Sequence, residues 1–534
     1  MPSDRISYQH SGFFSPLIID YLNRDPKVRS LYHRFPSIDN FEAQIEQKKT
    51  AYPIENRRVL KRVLEQQYAG VEMSDQTRAN IAALGEETAF TIVTGHQLNL
   101  FTGPLYFIYK IVNAISLSTQ LSERYPQYSF VPVYWMATED HDFEEISSFE
   151  LFGQKLRWER NSGGPVGRLS TDGLDAVFEQ LEEILPPSDT ANELKTLFKA
   201  AYLEHSRLSD ATRFLANALF SEYGLVIIDA DHRELKQLFT SHLWTDLEQK
   251  TAFEKISETA LQMSGYHVQV NPREVNVFYM ENGLRERIIA EKNGFSVNNT
   301  QLRFSTEEMR KQLNETPEKF SPNVILRPLY QEVILPNLCY IGGAGEIAYW
   351  LELKSFFDAS EIAFPMLLVR NAVVYATQKQ MKKARELGLS WADLFLKPAD
   401  LKRDYTTRIS DIPLSLSDAK WALAREFEKI DALALRTDAS FTGAVEAAKV
   451  RIEKQLNTLE KRLLKAQQRK FSDTLNRVSD LQNDIFPNGG LQERRWNFAQ
   501  IYVSLGRAMI EELLASFDPI GQEFTLLTYE AAPH

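Results

Sequence analysis

The chain has 534 residues, 43% hydrophobic and 25% charged, with a formal charge of −11; that length allows several domains and a sizeable core. The acidic balance argues against a general nucleic-acid binder, which is ordinarily basic, while still allowing a local basic pocket for a small anion. The single cysteine, Cys339, excludes an internal disulfide and a cysteine-rich zinc centre and fits a reducing cytoplasm.

The start, MPSDRISYQHSGFFSPL, lacks the basic-then-apolar pattern of a signal peptide. The longest apolar runs are cut by Lys110 and Arg370, so no membrane span is expected. Residues 1–89 read as helical, with apolar residues near helical spacing and prolines 26, 36 and 53 as punctuation. An α/β pattern follows. The apolar run Phe90 to Val93 breaks into Thr94-Gly95-His96-Gln97, and a helix runs from Thr102-Gly103-Pro104 to about Glu123. A second apolar run, Phe130 to Met136, delivers Glu139-Asp140-His141-Asp142. Both polar loops then sit at the carboxyl ends of neighbouring parallel strands, where open α/β sheets bind ligands.

The alternation in SFELFGQKLRWERNSGGPVGRLS predicts a hairpin turning at Gly163-Gly164. Amphipathic helix covers most of 171–220, and Leu225 to Ile228 returns to the sheet. Residues 236–263 read as helix. YHVQV, NVFYM and RERIIA read as strands, with Asn282-Gly283 as a hairpin turn. A helix from Pro328, a strand from Leu338 to Ile341, a glycine loop, a helix from Glu346 and a strand from Phe364 to Val369 complete the core. Ala448, Ile452, Leu456, Leu459, Leu463 and Ala466 approach a heptad seam. The seam suits either a helical hairpin packed within its own domain or a dimerising coiled coil. The predicted organisation is N-terminal helices with the first half of a Rossmann-like core (1–146), a connecting insertion (147–221), a core strand (222–232), a second insertion (233–325), the rest of the core (326–375) and a helical coiled-coil domain (376–534).

Several residues could carry chemistry. Gly95 lets a ligand approach the backbone, and His96 offers an acid/base or phosphate donor. Asn99, Thr102 and the amides near Gly103 could complete an anion cradle at a helix start beside the Gly95-His96-Gln97 turn, with Lys110 two turns further on. Glu139, Asp140, His141 and Asp142, with Glu144 and Glu145, could orient an imidazole, hold an amine or bind a divalent ion. Arg327 and Gln331 form a candidate carboxylate clamp. Gly343, Gly345 and Glu346 make a G-x-G-x-x-A loop, but Glu346 would repel a pyrophosphate, so a small polar ligand is expected there rather than a dinucleotide. Cys339 reads as core. No P-loop, kinase set, G-x-S-x-G or HExxH spacing is present.

Five separated strings give a resemblance: YLNRDPKVRSLYHRFP, TGHQLNLFTGPLYFIYK, PVYWMATEDHDFEEI, SPNVILRPLYQEVILPNLCYIGGAGEIAYW and FPNGGLQERRWN. Together they resemble the cysteine ligases of bacillithiol biosynthesis over almost the whole chain. The resemblance implies a Rossmann-like core with connecting insertions, a C-terminal coiled coil and a homodimer. It also implies a reaction joining cysteine to glucosaminyl malate. A free carboxylate is a poor acyl donor, so ATP, with Mg²⁺, is expected to activate cysteine. In that expectation His96, Asp140, His141 and Asp142 do catalysis, and Gly95, Thr102, Gly103 and Lys110 hold nucleotide. Gln97, Asn99, Glu139, Arg327, Gln331, Gly343, Gly345 and Glu346 hold substrate. No bound metal set, nucleic acid or membrane is expected. Two other readings fit the same residues: a nucleotidylyltransferase-like enzyme on another small polar substrate, and a coiled-coil assembly protein whose core only binds a ligand.

Overall fold

A computed structural model describes residues 4–437 and 439–532, which fall into two compact units. The first comprises Met1–Tyr375 and Gln492–His534; the second is Ala376–Leu491. Among the described residues no helix is long and apolar enough to cross a membrane.

The first unit is built on five strands: β1 (Ala89–His96), β2 (Ser129–Met136), β3 (Val226–Asp229), β4 (Asn337–Gly342) and β5 (Met366–Val369). They lie in the order β5-β4-β1-β2-β3, and every pairing is parallel. β1 is buried along its whole length, as expected of a parallel strand covered on both faces. Helix α1 (Tyr106–Arg124) crosses between β1 and β2 and packs Ala114, Leu117 and Leu121 against Phe90, Ile92, Leu338 and Ile341. Cys339 lies in that same core, where burial pushes its thiol up, away from reactivity. The chain steps outward from β1 to β2 and β3, then crosses back to β4 and β5. The strand order therefore reverses between β1 and β4, and a crevice opens at their carboxyl ends. Helix α2 (Leu326–Ile334) precedes β4, and α3 (Ala344–Leu351) follows it.

Two segments interrupt this core. The first holds the hairpin Ser148–Leu151 with Gln154–Arg157, followed by three helices. Its turn is Phe152-Gly153, not Gly163-Gly164. Gly164 is needed for packing instead: it takes φ +72°, and a Cβ there would stand 2.6 Å from the Leu284 nitrogen. The second contains a five-stranded sheet, which includes the expected Asn282-Gly283 hairpin between Val277–Glu281 and Leu284–Glu291. YHVQV is not a strand; residues 267–276 form neither helix nor strand.

The start of the chain differs from expectation. Asp4–Ser7 is a strand rather than helix, and it pairs antiparallel with Glu523–Tyr529. Residues from Gln492 onward pack with the first unit, and the second unit spans Ala376–Leu491. Within that unit α4 (Ser417–Ala434) precedes α5 (Ala439–Lys470), and α6 (Ser472–Ile485) follows. The seam has an internal partner: Phe427 and Ala434 of α4 pack on Val445, with Ala448 and Ile452 alongside. Its far part is less covered, and Leu459 is 51% exposed.

Candidate functional site

A cavity of about 650 Å³ lies over the carboxyl ends of β1, β2 and β4. Its floor rests on one ion pair. Lys110 is buried, with Nζ 2.6 Å from Glu346 Oε2, and it donates to the Gly95 carbonyl at 2.7 Å. Glu346 also accepts from the Gly343 N–H and the Tyr340 hydroxyl, each at 2.8 Å. Burial opposes the Glu346 charge, but Lys110 and these donors hold its carboxyl below the usual range. Gly343 and Gly345 open this side of the cavity.

Arg327 stands on α2, inside the cavity. It donates to Gln331 Oε1 at 3.1 Å and lies over the Trp135, Tyr340 and Trp350 rings at 5.7–6.0 Å. Gln331 is fully buried and passes a hydrogen bond to Glu332, so it positions Arg327 and does not line the cavity. Arg370 closes the far wall through a two-bond contact with Glu493, at 2.9 and 2.5 Å.

The acidic loop divides. Glu139 accepts from Ser321 at 2.6 Å and pairs with Lys236 at 3.0 Å, part of a buried set with Asp231 and Arg168. Asp140 accepts from the Gln97 side chain and the His141 N–H. Burial works against its charge, yet hydrogen bonds from His141 and Gln97 and the Arg285 charge keep the carboxyl well below the usual range. His141 lines the cavity and its Nδ1 accepts from Arg285 at 2.8 Å. Asp142 does not line it; its side chain caps the helix that follows, accepting from the Glu145 N–H at 3.2 Å. The first insertion clamps this loop, with Val166 N–H to Asp140 O and Gly167 N–H to Thr138 O. Gly167 must be glycine there, since a Cβ would meet Thr138 at 2.5 Å.

The expected amide cradle near Gly103 is absent. The Phe101, Gly103 and Leu105 N–H groups already donate to Tyr202, Leu100 and Trp496. Thr102 and Asn99 are buried behind the cavity wall, and Gly103, at φ +62°, exists because a Cβ would strike Asn99 at 2.4 Å. His96 does line the cavity, but burial, with Lys110 and Arg370 nearby, holds its imidazole neutral.

The cationic side chains lie elsewhere. Seven cationic side chains line the cavity against four carboxylates. Arg273, Arg287 and Arg494 have no acidic partner among the described residues, and sequence reading missed all three along with Arg285, Arg370, Tyr106 and Tyr349. RERIIA carries Arg285 and Arg287 two residues apart, so both face one side of a strand; that was the available signal.

Two comparisons bear on this arrangement. Residues 1–371 match the family described as bacillithiol biosynthesis BshC, N-terminal Rossmann-like domain, and residues 373–529 match its C-terminal coiled-coil domain. The chain belongs to the bacillithiol biosynthesis BshC family. Relatives named "Putative cysteine ligase BshC" include one from Flavobacterium johnsoniae at 54% identity, covering 99% of this chain and 100% of its own. Those of Flavobacterium psychrophilum and Christiangramia forsetii are 50% and 48% identical, over 99% of this chain and 100% and 99% of theirs. The family's coiled-coil match thus includes a tail, from Gln492, that packs with the Rossmann-like unit.

Lys110→Met should lower unfolding stability by about 3–5 kcal/mol in denaturant titration, because it strands the Glu346 charge. Adding Glu346→Gln should recover part of that loss.

Residues 267–276 bring Asn271 and Arg273 to the cavity rim. Glu352 accepts from the Gln269 and Val270 N–H groups, and Asp246 accepts from Asn276. Burial pushes these carboxyls up to about 7 and about 6. Their raised values make proton binding favour the closed segment, fully so below the ordinary carboxylate range. That contribution is lost as pH rises through about 6 to 7. Hydrogen exchange over 267–276, corrected for intrinsic rate, should therefore rise by roughly tenfold or more between mildly acidic and mildly alkaline pH. Glu352→Gln should flatten that rise.

Proposed function

We propose that the chain is an amide-forming ligase that joins cysteine to glucosaminyl malate, with the cysteine carboxyl activated by ATP. The observation that carries this reading is the cation-rich cavity at the reversal of strand order in a protein of net charge −11. Arg273, Arg287 and Arg494, with no acidic partner among the described residues, supply guanidinium groups for phosphate or malyl carboxylates. Arg327, held in plane by Gln331 and ringed by aromatics, is suited to one fixed carboxylate. The nucleotide's phosphates go to these arginines rather than to the 101–105 amides. Glu139, Asp140 and Glu346 are all paired with cations, so Mg²⁺ enters on the nucleotide phosphates. The reaction takes place in the cytoplasm, where the thiol product stays reduced.

Purified protein given cysteine, glucosaminyl malate, ATP and Mg²⁺ should yield the product thiol with release of AMP or ADP. Arg327→Ala should cut kcat/KM by about 10²-fold through the lost charge-assisted bonds. No thiol from the mixture, with glucosaminyl malate and bacillithiol levels unchanged in a deletion strain, would refute the ligase reading.

We also propose a homodimer through the uncovered part of α5. Leu459→Glu should shift a dimer to monomer in sedimentation; an unchanged dimer would place the interface elsewhere.

A further inference from the structure

Four carboxylates line the cavity, and three are committed. Glu139 meets Lys236, Asp140 takes Gln97 and His141, and Glu346 takes Lys110 and Tyr340. Glu145 differs. Its carboxyl makes no hydrogen bond or ion pair among the described residues, while its backbone is fixed at both ends. The Glu145 N–H donates to Asp142 at 3.2 Å, and its carbonyl accepts from Asn99 at 2.9 Å. An anchored backbone with the carboxyl oxygens free to reach the cavity suits a proton acceptor.

Neither imidazole competes. A proton on His96 would be buried and would face Lys110 and Arg370. His141 Nδ1 is already engaged, 2.8 Å from the Arg285 guanidinium and 3.4 Å from Asp140 Oδ1. Around Glu145, partial burial and the neighbouring Asp140 and Asp142 charges raise its affinity for a proton above that of an ordinary carboxylate.

We propose that Glu145 is the general base of the amide-forming step; this rests on the ligase reading above. The acceptor binds as a free amine. Its nitrogen lone pair forms the C–N bond to the activated cysteinyl carbon, and positive charge develops on nitrogen. Glu145 takes one proton from that nitrogen. The C–O bond to the phosphate or nucleotidyl leaving group breaks, its electron pair staying on the departing oxygen. The arginine cluster stabilises that anion.

The test uses the full-length protein and its Glu145→Gln and Glu145→Asp variants, with folding checked by thermal melting. With cysteine, glucosaminyl malate, ATP and Mg²⁺, Glu145→Gln should lower kcat about 10²–10³-fold with little change in KM. It should also lose the acidic limb of the wild-type pH profile, and Glu145→Asp should restore part of the rate and that limb. Hydroxylamine, unprotonated at neutral pH, should trap activated cysteine in Glu145→Gln at close to the wild-type rate. A variant with wild-type kcat and pH profile overturns the proposal. Equal loss with both nucleophiles also overturns it, placing Glu145 in activation or folding. A wild-type protein that forms no amide at all instead overturns the ligase reading, and this step falls with it.

Discussion

The Lys110–Glu346 pair is the contact on which the cavity depends. It joins three things that sequence keeps far apart: the carboxyl end of β1 through the Gly95 carbonyl, helix α1 through Lys110, and the glycine loop after β4 through Glu346. Removing two charges from water is costly, and the bonds to the Gly95 carbonyl, the Gly343 N–H and the Tyr340 hydroxyl offset part of that cost. The same pair settles the local charge. Lys110 is neutralised where it stands, so it does not serve as an anion hook. The guanidinium groups on the opposite walls take that part.

Those walls come from outside the Rossmann-like core. Arg285 and Arg287 project from the antiparallel sheet of the second insertion, Arg273 from the segment before it, and Arg494 from the C-terminal tail. A Rossmann-like sheet alone would offer a crevice with mixed charge. The inserted elements make its lining predominantly cationic, on a protein whose net charge is negative.

The sequence exposed the core well. Phe90 to Val93, Phe130 to Met136 and Leu338 to Ile341 are continuous apolar runs, which only doubly covered strands need, and each ends at a polar or glycine loop. Gly95, His96, Gln97, Glu139, Asp140, His141, Arg327 and Glu346 all reached the cavity for that reason. Local chemistry misled where a residue serves packing at a distance. Gly103 and Gly164 looked like ligand-facing or turn glycines, yet each answers to a neighbouring atom, Asn99 in one case and the Gly283–Leu284 backbone in the other. Asp142 belonged to an acidic cluster by sequence and to a helix cap by geometry. The arginines were unreadable because alternating strands with polar outer faces look like ordinary surface, and which face meets the cavity is set by tertiary packing.

The pairing of Asp4–Ser7 with Glu523–Tyr529 has a bearing on synthesis. A ribosome delivers the first strand more than 500 residues before its partner. Glu493, which fixes Arg370, and Asn497, which ties down the Phe101 and Gly103 carbonyls, emerge in the same last stretch. Domains ordinarily condense as they leave the exit tunnel, but this one lacks the strand partner of Asp4–Ser7 and a wall of its cavity until the residues after Gln492 have been made. The cavity is therefore completed only after residues 376–491, the second unit, have been made.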